Sequence, residues 1–114
     1  MTDPPAIPQP GRSVRGSRSG APIMALFDLL GRRWAMGVLW TICDQGPLGF
    51  ARLEALCETI SPAVLSQRLK DLQAARFIER TGEGYAPTPL GRRVYSELLP
   101  LGDTAKAWAK ALEP

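Results

Sequence analysis

Histidine is missing altogether from the 114 residues, which removes the commonest general base and the commonest metal ligand together. Cysteine is nearly missing. The two present, Cys43 and Cys57, lack Cys-x-x-Cys spacing, so no zinc site is expected. Each lies in an apolar helical pattern, where a free thiol packs as a small hydrophobe; a redox switch is the alternative. No nucleophile-elbow or phosphate-loop spacing occurs. Chemistry would fall to carboxylates, Tyr85, Tyr95 or lysines, and neither catalysis nor a cofactor or metal is expected. The longest apolar run, Trp34 to Cys43, is about half the ~20 residues a membrane-spanning helix needs. The opening residues show no basic patch leading into an apolar core, so no secretory signal is expected and the cytoplasm is the default address.

What remains is an ordinary globular composition, 45% hydrophobic and 22% charged, on a chain long enough for one domain. The formal charge of +3 is unevenly spread. Residues 1–20 carry Arg12, Arg15 and Arg18 against Asp3, while the rest holds eleven basic and ten acidic groups. Four prolines fall by Pro10, followed by Gly11-Arg12-Ser13-Val14-Arg15-Gly16-Ser17-Arg18-Ser19-Gly20. That stretch has little to bury and is expected to be a flexible basic arm, with the folded domain over 21–114. A basic arm on a nearly neutral body suits contact with nucleic acid; a solvated tail is the plainer reading.

Helical periodicity starts at Pro22, with Ile23, Leu26, Phe27 and Leu30 recurring before Gly31 as cap. Trp34 to Asp44 forms a second helix, with Trp34, Val38 and Ile42 on one line, stopped by Gly46-Pro47. Leu48 is a lone extended residue. Phe50, Leu53, Leu56 and Cys57 mark a third helix ending near Thr59. Ser61-Pro62, an N-cap residue before proline, opens a fourth, with Leu65, Leu69 and Leu72 facing the core. It ends around Ala74 to Arg76. Phe77 to Arg80 and Tyr85 to Thr88 read as two strands about the turn Thr81 to Gly84, with Pro87 at an edge or terminus. Pro89 begins a last helix with Leu90, Val94 and Leu98. Pro100 must break or kink it, and Leu101, Ala105, Trp108 and Leu112 continue the period.

The predicted fold is therefore mainly α with a small two-stranded β-wing, a winged helix-turn-helix. In that arrangement one helix braces across the DNA backbone and the next lays its polar face in the major groove. Glu58-Thr59-Ile60 is the connection, with Ile60 as the plug between the two helices. Opposite the leucine stripe, the fourth helix presents Ala63, Gln67, Lys70 and Ala74. Ser66 and Gln73 flank this face on one side, Val64 and Asp71 on the other. Ser61, Pro62, Ala63, Ser66, Gln67 and Lys70 are the major-groove candidates. Small residues allow close approach, Ser66 and Gln67 reach base edges, and Gln suits adenine. Lys70 can neutralise a phosphate, and the free N–H groups near Ser61 favour a phosphate oxygen. Arg33, Arg68 and Arg80 are backbone candidates. Arg68 has a second reading as an ion-pair partner of Glu54, and Arg32 and Arg33 sit where the helix dipole calls for a compensating anion. Glu83 at the wing tip would repel DNA.

In these residues the chain resembles the HxlR-type winged helix-turn-helix transcriptional regulators, relatives of the MarR group. The resemblance spans about residues 22 to 112. It rests on Gly31-Arg32-Arg33-Trp34, then Gly46, Leu48, Phe50 and Leu53, then Ile60-Ser61, Leu65, Leu69 and Leu72. Arg80, Tyr85, Thr88-Pro89-Leu90-Gly91 and Trp108 complete it. The resemblance implies a homodimer built from the first and last helices, which places two recognition helices on a pseudo-palindromic operator. Candidate interface residues are Ile23, Phe27, Leu98, Leu101, Trp108 and Leu112. An apolar terminal stripe fits the same picture, though packing within one chain would also use it. Departures exist. Gly49 stands where the family often has arginine, the wing is short, and the thiol-sensing relatives' N-terminal cysteine has no counterpart before Cys43. The resulting expectation is a cytoplasmic, dimeric, sequence-specific DNA-binding regulator, taken as a repressor. Two alternatives accompany it. One is a sensor holding a small-molecule effector, aromatic or quinone-like, at the dimer interface near Trp34, Trp40 and Trp108. The other is a winged helix used for protein contacts.

Overall fold

A computed structural model describes residues 7–114. It contains six helices and one antiparallel hairpin: α1 Pro22–Leu30, α2 Ala35–Gln45, α3 Phe50–Leu56, α4 Pro62–Ala74, β1 Ile78–Thr81, β2 Gly84–Pro87, α5 Pro89–Leu98 and α6 Leu101–Ala111. The winged helix-turn-helix order is as the sequence predicts. At the centre lies α2, whose Ala35, Val38, Leu39 and Ile42 are wholly buried and which packs against α1, α3, α4, α5 and β2. None of the helices among the described residues is long and apolar enough to cross a membrane.

The joint between α1 and α2 differs from expectation. Gly31 keeps an ordinary right-handed backbone, and the left-handed turn falls instead on Trp34 (φ 76°), which ends up as the residue ahead of α2. The third helix is also shorter than predicted. It stops at Leu56, and Glu58 (φ 54°) turns the chain so that buried Ile60 plugs the space between α3 and α4. Ser61 Oγ accepts the Val64 N–H at 3.2 Å and Pro62 occupies the first turn, which fixes where α4 begins. Leu65, Leu69 and Leu72 turn inward and are buried.

The hairpin pairs Ile78 with Pro87 and Thr81 with Gly84, so each strand starts or ends one residue from its predicted bound. Phe77 is outside the ladder because its N–H donates to Leu72 O at 3.0 Å and its carbonyl accepts from Thr88 at 3.0 Å. Leu48, read as isolated, exchanges two backbone hydrogen bonds with Tyr85 (2.9 and 2.8 Å) and extends the wing by a bridge. Thr88 Oγ1 caps α5 by accepting from Gly91 N–H at 3.0 Å and donates to Arg76 O at 2.7 Å. Pro100 separates α5 from α6, and α6 has no buried residue.

Of the arm expected over residues 1–20, residues 1–6 lie outside the described residues, and the rest lies against the body from Ile7 onward. Ile7 is buried against the core, Val14 and Ser17 pair with each other, and Arg15 N–H donates to Asp28 Oδ2 at 3.1 Å on α1. Gly20 (φ 72°) closes this segment where any side chain would collide with the Arg12 backbone.

Candidate nucleic-acid interface

α3, the 57–61 connection, α4 and the hairpin follow one another without interruption along the chain. Along the outer side of α4, Ser61, Pro62, Ala63, Gln67 and Lys70 are exposed and Ser66 is half-buried. No side chain among the described residues covers Gln67 or Lys70, and the buried leucine stripe lies on the opposite side. Small residues at the start of α4 leave its backbone open to close approach. Farther along, an amide and an ammonium project.

One side of α4 departs from the predicted face. Asp71, placed by helical stepping at its exposed flank, is only 1% exposed. Its Oδ2 pairs with Arg32 Nη1 at 3.1 Å and with Arg68 Nη1, while Oδ1 accepts from Gln67 Nε2 at 2.9 Å. Arg68 Nε also donates to Arg33 O at 2.9 Å, so its guanidinium ties α4 to the segment before α2. Arg68 thus forms the ion pair that one of its two readings gives it, with Asp71 instead of Glu54. The anion expected near Arg32 is likewise this carboxylate. The i,i+4 and i,i+3 spacings to Gln67 and Arg68 were visible in sequence, but the approach of Arg32 needs the tertiary fold.

Arg33 is exposed, with its guanidinium carbon 5.8 Å from the Trp34 ring centroid. Arg80, on the exposed side of β1, lies 5.6 Å from the Tyr85 ring centroid. Each cation thus lies within cation–π range of an aromatic face. At the wing tip Thr81 Oγ1 donates to Gly84 O at 2.8 Å and accepts from Glu83 N–H at 3.1 Å, which fixes the turn carrying exposed Glu83.

The three tryptophans do not form a common pocket. Trp40 meets Tyr95 edge-on at 5.0 Å, Trp34 lies beneath Arg33, and Trp108 stands exposed on α6. A cleft of about 630 Å³ instead lies between Ile7–Pro10, α1, the end of α4 and α5, lined by Leu26, Leu29, Phe77 and Val94; no tryptophan lines it. Cys43 and Cys57 are buried, and burial raises both thiols above their ordinary value of 9.0. Among the described residues no three acidic or thiol groups gather as metal ligands.

The sequence pattern of the HxlR-like helix-turn-helix family matches residues 29–113. The chain belongs to that family. HxlR-type relatives share its fold in three dimensions. A possible HxlR family transcriptional factor from Thermoplasma volcanium GSS1 superposes with a TM-score of 0.67 at 28% identity, over 78% of this chain and 85% of the other. Quinone-bound YodB from B. subtilis gives 0.62 at 28% identity, over 80% and 97%. Diamide-treated YodB gives 0.56 at 30%, over 82% and 97%. Comparison with curated proteins gives no sequence match. Membership in the HxlR-like group makes this a helix-turn-helix protein of a transcriptional-regulator family. The family's frequent arginine before the motif phenylalanine is replaced by Gly49, and open space surrounds that position.

Proposed function

We propose that this HxlR-like protein is a cytoplasmic repressor that binds a pseudo-palindromic operator as a homodimer. The observation that carries the reading is the bare outer side of α4 next to its wing, with the leucine stripe locked inside. In this reading Ser61, Pro62, Ala63, Ser66, Gln67 and Lys70 enter the major groove, and Arg33 and Arg80 contact phosphates. Arg68 serves as the brace that holds α4.

Dimerisation is supported by apolar surface that one chain leaves open. Ile23 and Phe27 on α1 are more than half exposed, as are Leu101, Trp108 and Leu112 around α6, while Leu98 is half-buried. A helix such as α6, amphipathic but with nothing buried, acquires a reason for its apolar side when a second copy covers it. Two-fold pairing would then match the symmetry of the two half-sites.

The test is to select duplexes from a random pool with the full chain and to measure affinity across a salt series. Gln67→Ala is expected to relax one base position at about 1–3 kcal/mol, whereas Arg33→Ala weakens all sequences and lowers the salt slope by about one. Trp108→Glu is expected to halve the mass in light scattering while leaving the circular dichroism unchanged. Absence of salt-dependent duplex binding by the unmodified chain would overturn the reading.

A further inference from the structure

We infer that Asp71, buried beneath the outer side of α4, is a positioning residue that makes Gln67 an adenine reader before DNA arrives. The inference rests on the DNA-binding reading and adds to it a residue that never touches a base.

Asp71 is held from three directions. Arg32 and Arg68 take Oδ2, and Gln67 Nε2 lies 2.9 Å from Oδ1. A carboxylate paired with guanidinium groups only accepts hydrogen bonds, so the amide nitrogen of Gln67, and not its oxygen, must face it. That settles the orientation of a side chain which would otherwise flip between two nearly isosteric states. Among the described residues no hydrogen bond reaches Gln67 Oε1, and the side chain is exposed.

The chemistry of a primary amide supplies the consequence. Its two N–H hydrogens differ, one lying on the side of the carbonyl oxygen and the other pointing away. Adenine recognition uses Oε1 together with the near hydrogen, accepting from the base N6 amine and donating to N7. The far hydrogen has no part in that pair, and in this proposal it is the one Asp71 takes. The carboxylate therefore fixes the amide without consuming its reading edge. Guanine offers acceptors at both O6 and N7, so the carbonyl of a fixed amide meets another acceptor there and is rejected.

The experiment takes the duplex selected by the full chain and replaces each half-site adenine in turn by 7-deazaadenine, which lacks the N7 acceptor. At one position the unmodified protein is expected to lose about tenfold in affinity, and Gln67→Met to show no further loss there. Asp71→Asn is expected to bind duplex DNA while accepting guanine at that position to within a few-fold of adenine. Should that variant fail to fold, side-chain amide NMR of the unmodified chain decides the matter. One of the two Gln67 amide hydrogens, assigned by its loss in Gln67→Met, is expected to exchange slowly with solvent before DNA is added. Both hydrogens exchanging as freely as in an exposed glutamine would overturn the inference, as would a folded Asp71→Asn with undiminished adenine preference. Failure of the unmodified chain to bind any duplex would instead overturn the functional reading beneath it.

Discussion

Arg32 Nη1 lies 3.1 Å from Asp71 Oδ2, joining the segment ahead of α2 to the fourth helix through a carboxylate that solvent barely touches. Arg68 completes the arrangement from α4 itself and adds a hydrogen bond to Arg33 O. The two cations are not equivalent. The side chain of Arg32 is 31% exposed and that of Arg68 17%, so water screens the first contact more.

Arg68→Met is accordingly expected to lower the unfolding free energy by about 2 kcal/mol and Arg32→Met by less than about 1. Urea titration of the two variants measures the difference. Equal losses would contradict the ranking by exposure.

Gly91 offers a second test, of the contact between α5 and the root of the wing. A Cβ there would overlap Phe77 O, in backbone that cannot rotate away. Gly91→Ala is expected to cost about 3 kcal/mol or more, because α5 must move off the sheet edge. Thermal unfolding followed by circular dichroism would reveal it, and a variant as stable as the parent would contradict the packing.

Gly49 behaves in the opposite way. It has an ordinary φ of −76° and no atom within 4 Å of where a Cβ would sit, so the family's usual arginine should fit. Gly49→Arg is expected to change stability by less than about 1 kcal/mol and to steepen the salt dependence of DNA binding by about one phosphate contact. An unchanged slope would place this turn away from the duplex.

The thiols give a pH test. Burial raises Cys43 and Cys57 above 9.0, so the unfolded chain loses those protons first as pH climbs. Stability from keeping them protonated is complete below 9.0 and declines above it, until the folded thiols also ionise. The stability advantage of the unmodified chain over the Cys43→Ala, Cys57→Ala double variant is expected to shrink above that pH. The same burial predicts slow alkylation of the native protein at neutral pH.

Local rules carried much of this architecture. Ser61-Pro62 announced α4, Pro89 announced α5, and the Leu65-Leu69-Leu72 stripe identified the inward side, because caps and periodicity are encoded within a few residues. Three features depended on partners distant in sequence. Asp71 looked solvent-facing on a helical wheel, since only the fold brings Arg32 over it. Leu48 looked solitary until Tyr85 met it, and nothing local showed that Arg15 N–H would meet Asp28 on α1. The exposed residues were legible as a side of α4, but not the bond that ties Gln67 to Asp71 within it.

The bridge between Leu48 and Tyr85 ties the hairpin to the turn that leads into α3, so the wing parts from the helix pair only by breaking two backbone hydrogen bonds. In the proposed dimer, each wing and its helix pair would then move as one piece, joined to the apolar α6 through Leu99-Pro100. The spacing of the two heads, and hence the operator length they can span, would follow from how α1 and α6 pack across the two-fold axis.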